Sequence, residues 1–200
     1  MNKRKLDARV ASRTVLYSGF LRITRYVFDT EKHDGGRQQL TRDVMERGHA
    51  VGVLGVDPVR DEVVLINEFR PGALVAGDYP YTDNVVAGMV EAGESPLVAA
   101  AREMQEEAGL ELRDAVLIHP GAFVSSGGAS EKVALVAGIV DTSGGPGVHG
   151  NPHEQEDILT VILPTQEFID RVRRSQITDF KTLVVGYWLE QNRDFGRRPG

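Results

Sequence analysis

Apolar and polar positions alternate near the start of the chain and then merge into longer apolar runs. From Thr14 to Tyr17 and from Leu21 to Phe28, β-branched and aromatic residues are interleaved with polar ones, the period-two pattern of strands. His33 to Gly36 supplies a turn, and Gln38 to Met45 returns as a third strand. The runs Ala50–Val56 and Glu62–Arg70 predict two strands covered on both faces, joined by the turn Asp57–Asp61. Residues 71–84 are rich in Pro, Gly and Asp and predict a loop. Ala115–Ile118, Ser130–Val140 and Asp157–Leu163 are further strands. A Gly- and Ser-rich turn, Ser125–Glu131, separates the first two of these, and a glycine-rich loop, 142–156, precedes the third. Two amphipathic helices close the chain, from Thr165 and from Asp179 to Gln191. The second is expected to bury Phe180, Leu183, Val184, Tyr187 and Trp188.

The stretch Gly88–Leu110 breaks this β pattern. Ser95 is suited to cap a helix, Pro96 to begin it and Gly109 to end it, with an alanine-rich body between. Leu97, Ala101, Met104 and Ala108 predict its apolar stripe, with Glu103, Glu106 and Glu107 clustered on another face. Carboxylates about 5 Å apart repel by roughly 3 kcal/mol at an effective dielectric near 20. A divalent cation reverses the sign, and a hard one such as Mg²⁺ binds carboxylate and phosphate oxygens in one shell. Arg102, four residues before Glu106, relieves part of the repulsion.

Composition narrows the classes. The 200 residues suit one domain with a small appendage, at 41% hydrophobic and 26% charged residues. No cysteine is present, which excludes disulfides, thiolate metal sites and cysteine nucleophiles and is compatible with a reducing cytoplasm. A net charge of −6 argues against a nucleic-acid partner, and no apolar run is long enough to span a membrane. The basic first dozen residues read as a frayed terminus.

The helical stretch matches a longer pattern: glycine, five residues, glutamate, seven residues, then Arg-Glu-apolar-any-Glu-Glu-any-Gly-apolar. Its fixed places here are Gly88, Glu94, Arg102, Glu103, Met104, Glu106, Glu107, Gly109 and Leu110. On these residues the chain resembles the Nudix hydrolases. Further stretches around Glu46–Val51, Asp57–Ile66, Val86–Met89, Gly127–Glu131 and Glu154–Ile158 are similar to the bacterial ADP-ribose pyrophosphatases of that family. The resemblance implies an α/β fold: a Nudix α/β/α sandwich with a mixed sheet (47–200), plus a small N-terminal antiparallel β unit (1–46) exchanged between subunits of a homodimer. It implies a cytoplasmic enzyme that splits a small nucleoside diphosphate derivative, ADP-ribose, into AMP and ribose 5-phosphate with Mg²⁺, or with Mn²⁺ in its place.

Residue roles follow from the same resemblance. Glu103, Glu107, Glu156 and the carbonyl of Ala87 would hold metal. Glu154 would act as general base, and Glu106 would support the cluster. Phe20 and Leu21 would pack on the adenine. Arg42, Asp43, Arg47, Arg70, Met89, Ser125 and Glu131 would line the remaining substrate site. The turn Ser125-Ser126-Gly127 departs from the Ser-Pro-Gly-like turn usual in ADP-ribose enzymes. A nucleotide-sugar substrate of the GDP-mannose or UDP-glucose type therefore stays open. So do a non-catalytic nucleotide-sensing module and, with less support from the N-terminal unit, an enzyme for oxidised nucleoside triphosphates.

Overall fold

Strand pairing in the computed structural model, which describes residues 5–151 and 155–197, follows the alternation of side chains along each strand. The chain divides into two units. The first holds the residues up to His49 together with Phe123–Lys132. Its three strands, β1 (Ala8–Ser18), β2 (Arg22–Glu31) and β3 (Arg37–Glu46), form an antiparallel sheet in the order β1-β2-β3. At the end of β3, Met45 exchanges hydrogen bonds with the turn after Phe123. Its N–H donates to the Gly128 carbonyl (2.8 Å), and its own carbonyl accepts from Ser130 (3.0 Å). Every residue of β1 is exposed, Val10, Val15, Leu16 and Tyr17 included.

The second unit spans Ala50–Ala122 and Val133 onward. It contributes β4 (Ala50–Asp57), β5 (Glu62–Phe69), α1 (Pro71–Ala76), β6 (Tyr81–Asn84), β7 (Val86–Met89), α2 (Pro96–Ala108), β8 (Arg113–Phe123), β9 (Lys132–Ile139), β10 (Val148–His149), β11 (Ile158–Pro164), α3 (Thr165–Arg173) and α4 (Phe180–Gln191). The sheet runs β10-β11-β5-β4-β9-β8, with β6 paired to β5 and β7 to β4. β4 and β9 are parallel and the other registered pairs antiparallel, so the sheet is mixed. Both faces are covered, which explains the near-continuous apolar runs. Leu54, Val63, Leu65 and Leu135 pack with Phe168, Ile169, Val172, Val185 and Leu189 of α3 and α4. Val51, Val53, Val64, Ile66 and Val136 pack on the other side with Ala99, Ala100, Met104 and Ala108 of α2. The result is an α/β/α sandwich, as expected.

Several elements differ from the sequence pattern. The supposedly frayed start is a strand from Ala8, held by β2. The supposed loop 71–84 contains α1, bounded by Pro71 and the left-handed Gly77, and then β6. On α2 the buried face is Ala99, Ala100, Met104 and Ala108, while Leu97 and Ala101 are exposed. On α4, Phe180 and Tyr187 are exposed, and Thr182, Val185, Gly186 and Leu189 turn inward in their place. Among the described residues no helix is long and apolar enough to cross a membrane.

Candidate active site

The site of the second unit is built on α2. Ser95 Oγ accepts from the Val98 N–H, and Gly109 ends the helix in the left-handed conformation with its N–H on Gln105. Between these caps the four-residue spacing of Glu103 and Glu107 sets both on the face that packs against the sheet. They are 7% and 5% exposed, whereas the Glu106 side chain is about half exposed. The three glutamates therefore do not share one face: two are inside and one looks out.

β7 meets the buried pair. The Ala87 N–H donates to Glu107 Oε2 at 3.0 Å. A Cβ on Gly88 would lie 1.9 Å from Glu103 Oε1, so the glycine lets that carboxylate rest on the strand. Arg102 is the local counter-charge. It bonds Glu94 (3.1 and 3.2 Å), Glu103 (2.7 Å), Glu106 (3.0 Å) and the Met89 carbonyl (2.9 Å). Glu94 also accepts from the Glu91 N–H at 3.0 Å, so its place in the motif is to fold the loop and hold Arg102. These bonds, Arg102's first, hold the Glu94 carboxyl below its ordinary range.

Glu68 belongs to this cluster and was not singled out from sequence. It follows Val64 and Ile66 at two-residue spacing on β5, which places it on the α2 side of the sheet. Its signal is a lone acid on the alternating face of an apolar strand. Burial raises its pKa; the Arg70 charge opposes this and that of Glu156 adds to it. Arg70 forms an ion pair with it. Glu107 is pushed up to about 8, by burial above all and by the charges of Glu68, Glu103 and Glu156, against the Ala87 hydrogen bond. Glu103 is raised by burial, with Arg102 pulling down and Glu106 and Glu156 pushing up. Glu156 is half-buried, and its Oε2 accepts from the Asn151 N–H at 2.9 Å. Glu154 lies outside the described residues.

Ala87, Met89, Arg70, Glu103, Glu106, Glu107 and Glu156 are thus brought into one region with Glu68. Among the described residues these acids do not converge as a ready-made three-ligand site, and Glu103 accepts from Arg102. The donor set is all hard oxygen, and the burial of like charges that raises Glu107 is the kind a cation relieves, so the residues fit a hard divalent ion.

The first unit gathers a second group. Arg47 stands 6.0 Å from the Phe20 ring centre and pairs with buried Glu131 at 3.6 Å. Phe20 is 90% exposed and, with Arg47, Glu46 and Gly48, lines a cavity of about 310 Å³; Leu21 beside it is half-buried. The Ser125 carbonyl accepts from Gly128 and Ala129 in its turn. Arg42 and Asp43 are engaged locally: Arg42 donates to the Thr41 carbonyl at 2.7 Å, and Asp43 pairs with Arg25 at 2.7 Å.

A mixed sheet between helices, with a capped acidic helix laid against a strand glycine, defines the class. A match to the NUDIX domain spans residues 46–179, and the chain belongs to that family as a Nudix pyrophosphohydrolase. The chain is 35% identical to the ADP-ribose pyrophosphatase of Escherichia coli K12, over 93% of this chain and 89% of that protein. Against the ADP-ribose pyrophosphatase of Haemophilus influenzae it is 31% identical, over 93% and 87%. The GDP-mannose pyrophosphatase of Cronobacter sakazakii is 26% identical, over 90% and 93%. A crystal structure of an ADP compounds hydrolase has the same fold, with a TM-score of 0.69 at 20% identity over 98% of this chain and 100% of that one.

Proposed function

We propose that the chain hydrolyses the diphosphate bond of ADP-ribose to AMP and ribose 5-phosphate, using Mg²⁺ or Mn²⁺, as a cytoplasmic homodimer. The observation that carries the reaction class is the buried pair Glu103 and Glu107 seated against Ala87 and Gly88. For the substrate, the support is the higher identity to relatives named ADP-ribose pyrophosphatase than to those named GDP-mannose pyrophosphatase. For the homodimer, it is the exposure of β1, whose apolar Val10, Val15, Leu16 and Tyr17 are each about half exposed or more.

Glu103, Glu107, Glu156 and the Ala87 carbonyl would hold the ion, with Glu106 in support and Glu68 adding negative charge. A bound divalent cation neutralises diphosphate oxygens and lowers the pKa of water. Glu154 would take the proton of the attacking water as general base. Arg47 and Arg70 suit bidentate contact with phosphate oxygens, and each is held by a carboxylate partner, Glu131 and Glu68. Phe20 and Leu21 would pack on the base, with Arg42, Asp43, Met89, Ser125 and Glu131 along the rest of the substrate. We read residues 1–46 as the exchanged β unit and 47–200 as the catalytic domain.

The second reading, a nucleotide-sugar diphosphatase, is favoured by the Ser125-Ser126-Gly127 turn and by the GDP-mannose relatives. Phosphate-coupled turnover with Mg²⁺ across ADP-ribose, GDP-mannose, UDP-glucose and NADH decides between them. A kcat/KM preference for ADP-ribose is expected; a preference for a sugar nucleotide would replace the first reading with the second.

A further inference from the structure

His149 lies outside the Nudix motif and has no role in the reaction described so far, yet two glycines keep space clear for its ring. A Cβ on Gly109 would stand 2.5 Å from its Cε1, and a Cβ on Gly147 would stand 2.6 Å from its Nε2. Non-bonded carbons prefer about 3.5–4 Å, so the imidazole rests directly on both backbones. Gly109 is the C-cap of α2, two residues beyond Glu107.

The strand that carries the ring leads to Glu156. His149 pairs with Ile158, and the Gly147 carbonyl accepts from the Thr160 N–H at 2.9 Å. Further along the same hairpin, the Asn151 N–H donates to Glu156 Oε2 at 2.9 Å, and a Cβ on Gly150 would stand 2.8 Å from the Glu156 Cβ. One ring therefore joins the end of the helix that carries Glu103 and Glu107 to the hairpin that carries Glu156.

We propose that His149 is a positioning residue that sets the separation of Glu156 from the α2 glutamates, and through it the affinity of the site for a divalent cation. This rests on the metal assignment made under the proposed function. Mg²⁺ and Mn²⁺ demand ligand oxygens at narrowly defined distances, so a hairpin released from the helix end weakens binding without touching the ligands themselves.

The test is Mn²⁺ binding to the full chain without substrate, followed by the EPR signal of the free ion. It compares wild type with His149→Ala, His149→Phe, Gly147→Ala and the His149→Ala/Gly147→Ala double variant. Gly147 lacks a positive φ, so its methyl acts only by pressing on the ring. His149→Ala and Gly147→Ala are each expected to weaken Mn²⁺ binding about tenfold. The double variant should be no worse than either, because the methyl enters the space the ring leaves. His149→Phe, which keeps a ring, should recover most of the affinity. Should His149→Ala fail to fold, Gly147→Ala and His149→Phe still decide the matter. Lowered melting temperatures with unchanged Mn²⁺ affinity, or additive losses in the double variant, would overturn the inference alone. A wild-type chain that binds no Mn²⁺ would overturn the metal assignment and this inference together.

Discussion

The Glu103 carboxylate occupies the space that a side chain at residue 88 would fill, within 2.3 Å of a Cβ placed there. Glycine at this point of β7 is a condition for the carboxylate to reach the sheet. Gly88→Ala should therefore displace Glu103 and lower turnover about a hundredfold, since a misplacement near 1 Å costs that much at an active site. Steady-state kinetics with circular dichroism checks this. Near-normal kcat in the folded variant would show that Glu103 acts from another position.

Glu107 links activity to stability. Its carboxyl titrates near 4.5 in an unfolded chain and about 8 in the metal-free fold. The folded state holds the proton more tightly. Stability is thus fully present below about 4.5 and is lost as pH rises toward 8. The metal-free wild type should melt at lower temperature at pH 9 than at pH 6, and Mg²⁺ should restore much of the difference. Glu107→Gln keeps an acceptor for the Ala87 N–H but removes the charge. It should flatten this dependence while lowering turnover at least about a hundredfold. Melting curves in EDTA at the two pH values measure the effect, and an unchanged slope in the variant would assign it elsewhere.

Glu154 and Glu156 are separable by metal binding. Glu154→Gln should cut kcat while Mn²⁺ binding stays near wild type, as expected of a base. Glu156→Gln should weaken Mn²⁺ binding and shift half-saturation by metal upward. An exchange of these two phenotypes would exchange the two roles.

Asp57 supports the fold away from α2. It is buried at the end of β4. Oδ1 accepts from the N–H groups of Val59 and Arg60, and Oδ2 from the N–H and hydroxyl of Thr142 and from the Arg60 guanidinium. Burial works against ionisation, but the Thr142 and Arg60 bonds outweigh it and hold the carboxyl well below its ordinary 3.8. Its stabilisation is thus present above 3.8 and fades as pH falls through the lower folded value. Asp57→Asn would oppose donors to donors at Thr142 and cost about 2–3 kcal/mol, or roughly 5–10 °C in Tm. The gap from wild type should narrow in acid; a gap constant with pH would exclude the charge as its cause.

The fold was legible wherever a period or a cap marked it. Ser95, Pro96 and Gly109 bounded α2, and the paired apolar runs announced a sheet covered on both sides. Burial at the site was not legible in the same way. A hydrophobic pattern places glutamates outside, yet Glu103 and Glu107 are inside, and Leu97 is displaced to the surface. Glu68 was hidden because one acid in a strand is usually a surface residue. Helix α1, six residues long, is too short to show a period, and only Pro71 and Gly77 mark its ends. The bond between Met45 and the turn near Gly128 joins residues far apart in sequence, which no local pattern encodes.

The parallel ladder of β4 with β9 has a bearing on how the molecule is made. Ala50 lies beside Val133, and the whole catalytic motif falls in the chain between them. Contacts of such long span close late, after local helices and hairpins have formed. During synthesis α2 leaves the ribosome before the strand that completes the sheet beneath it. A nascent chain ending before Lys132 carries every residue of the motif but lacks β9, whose Ala134 and Val136 pack in the cluster beneath α2. Catalytic competence is thus acquired near the end of translation, and proteolytic loss of β9 would silence the enzyme while leaving its motif intact.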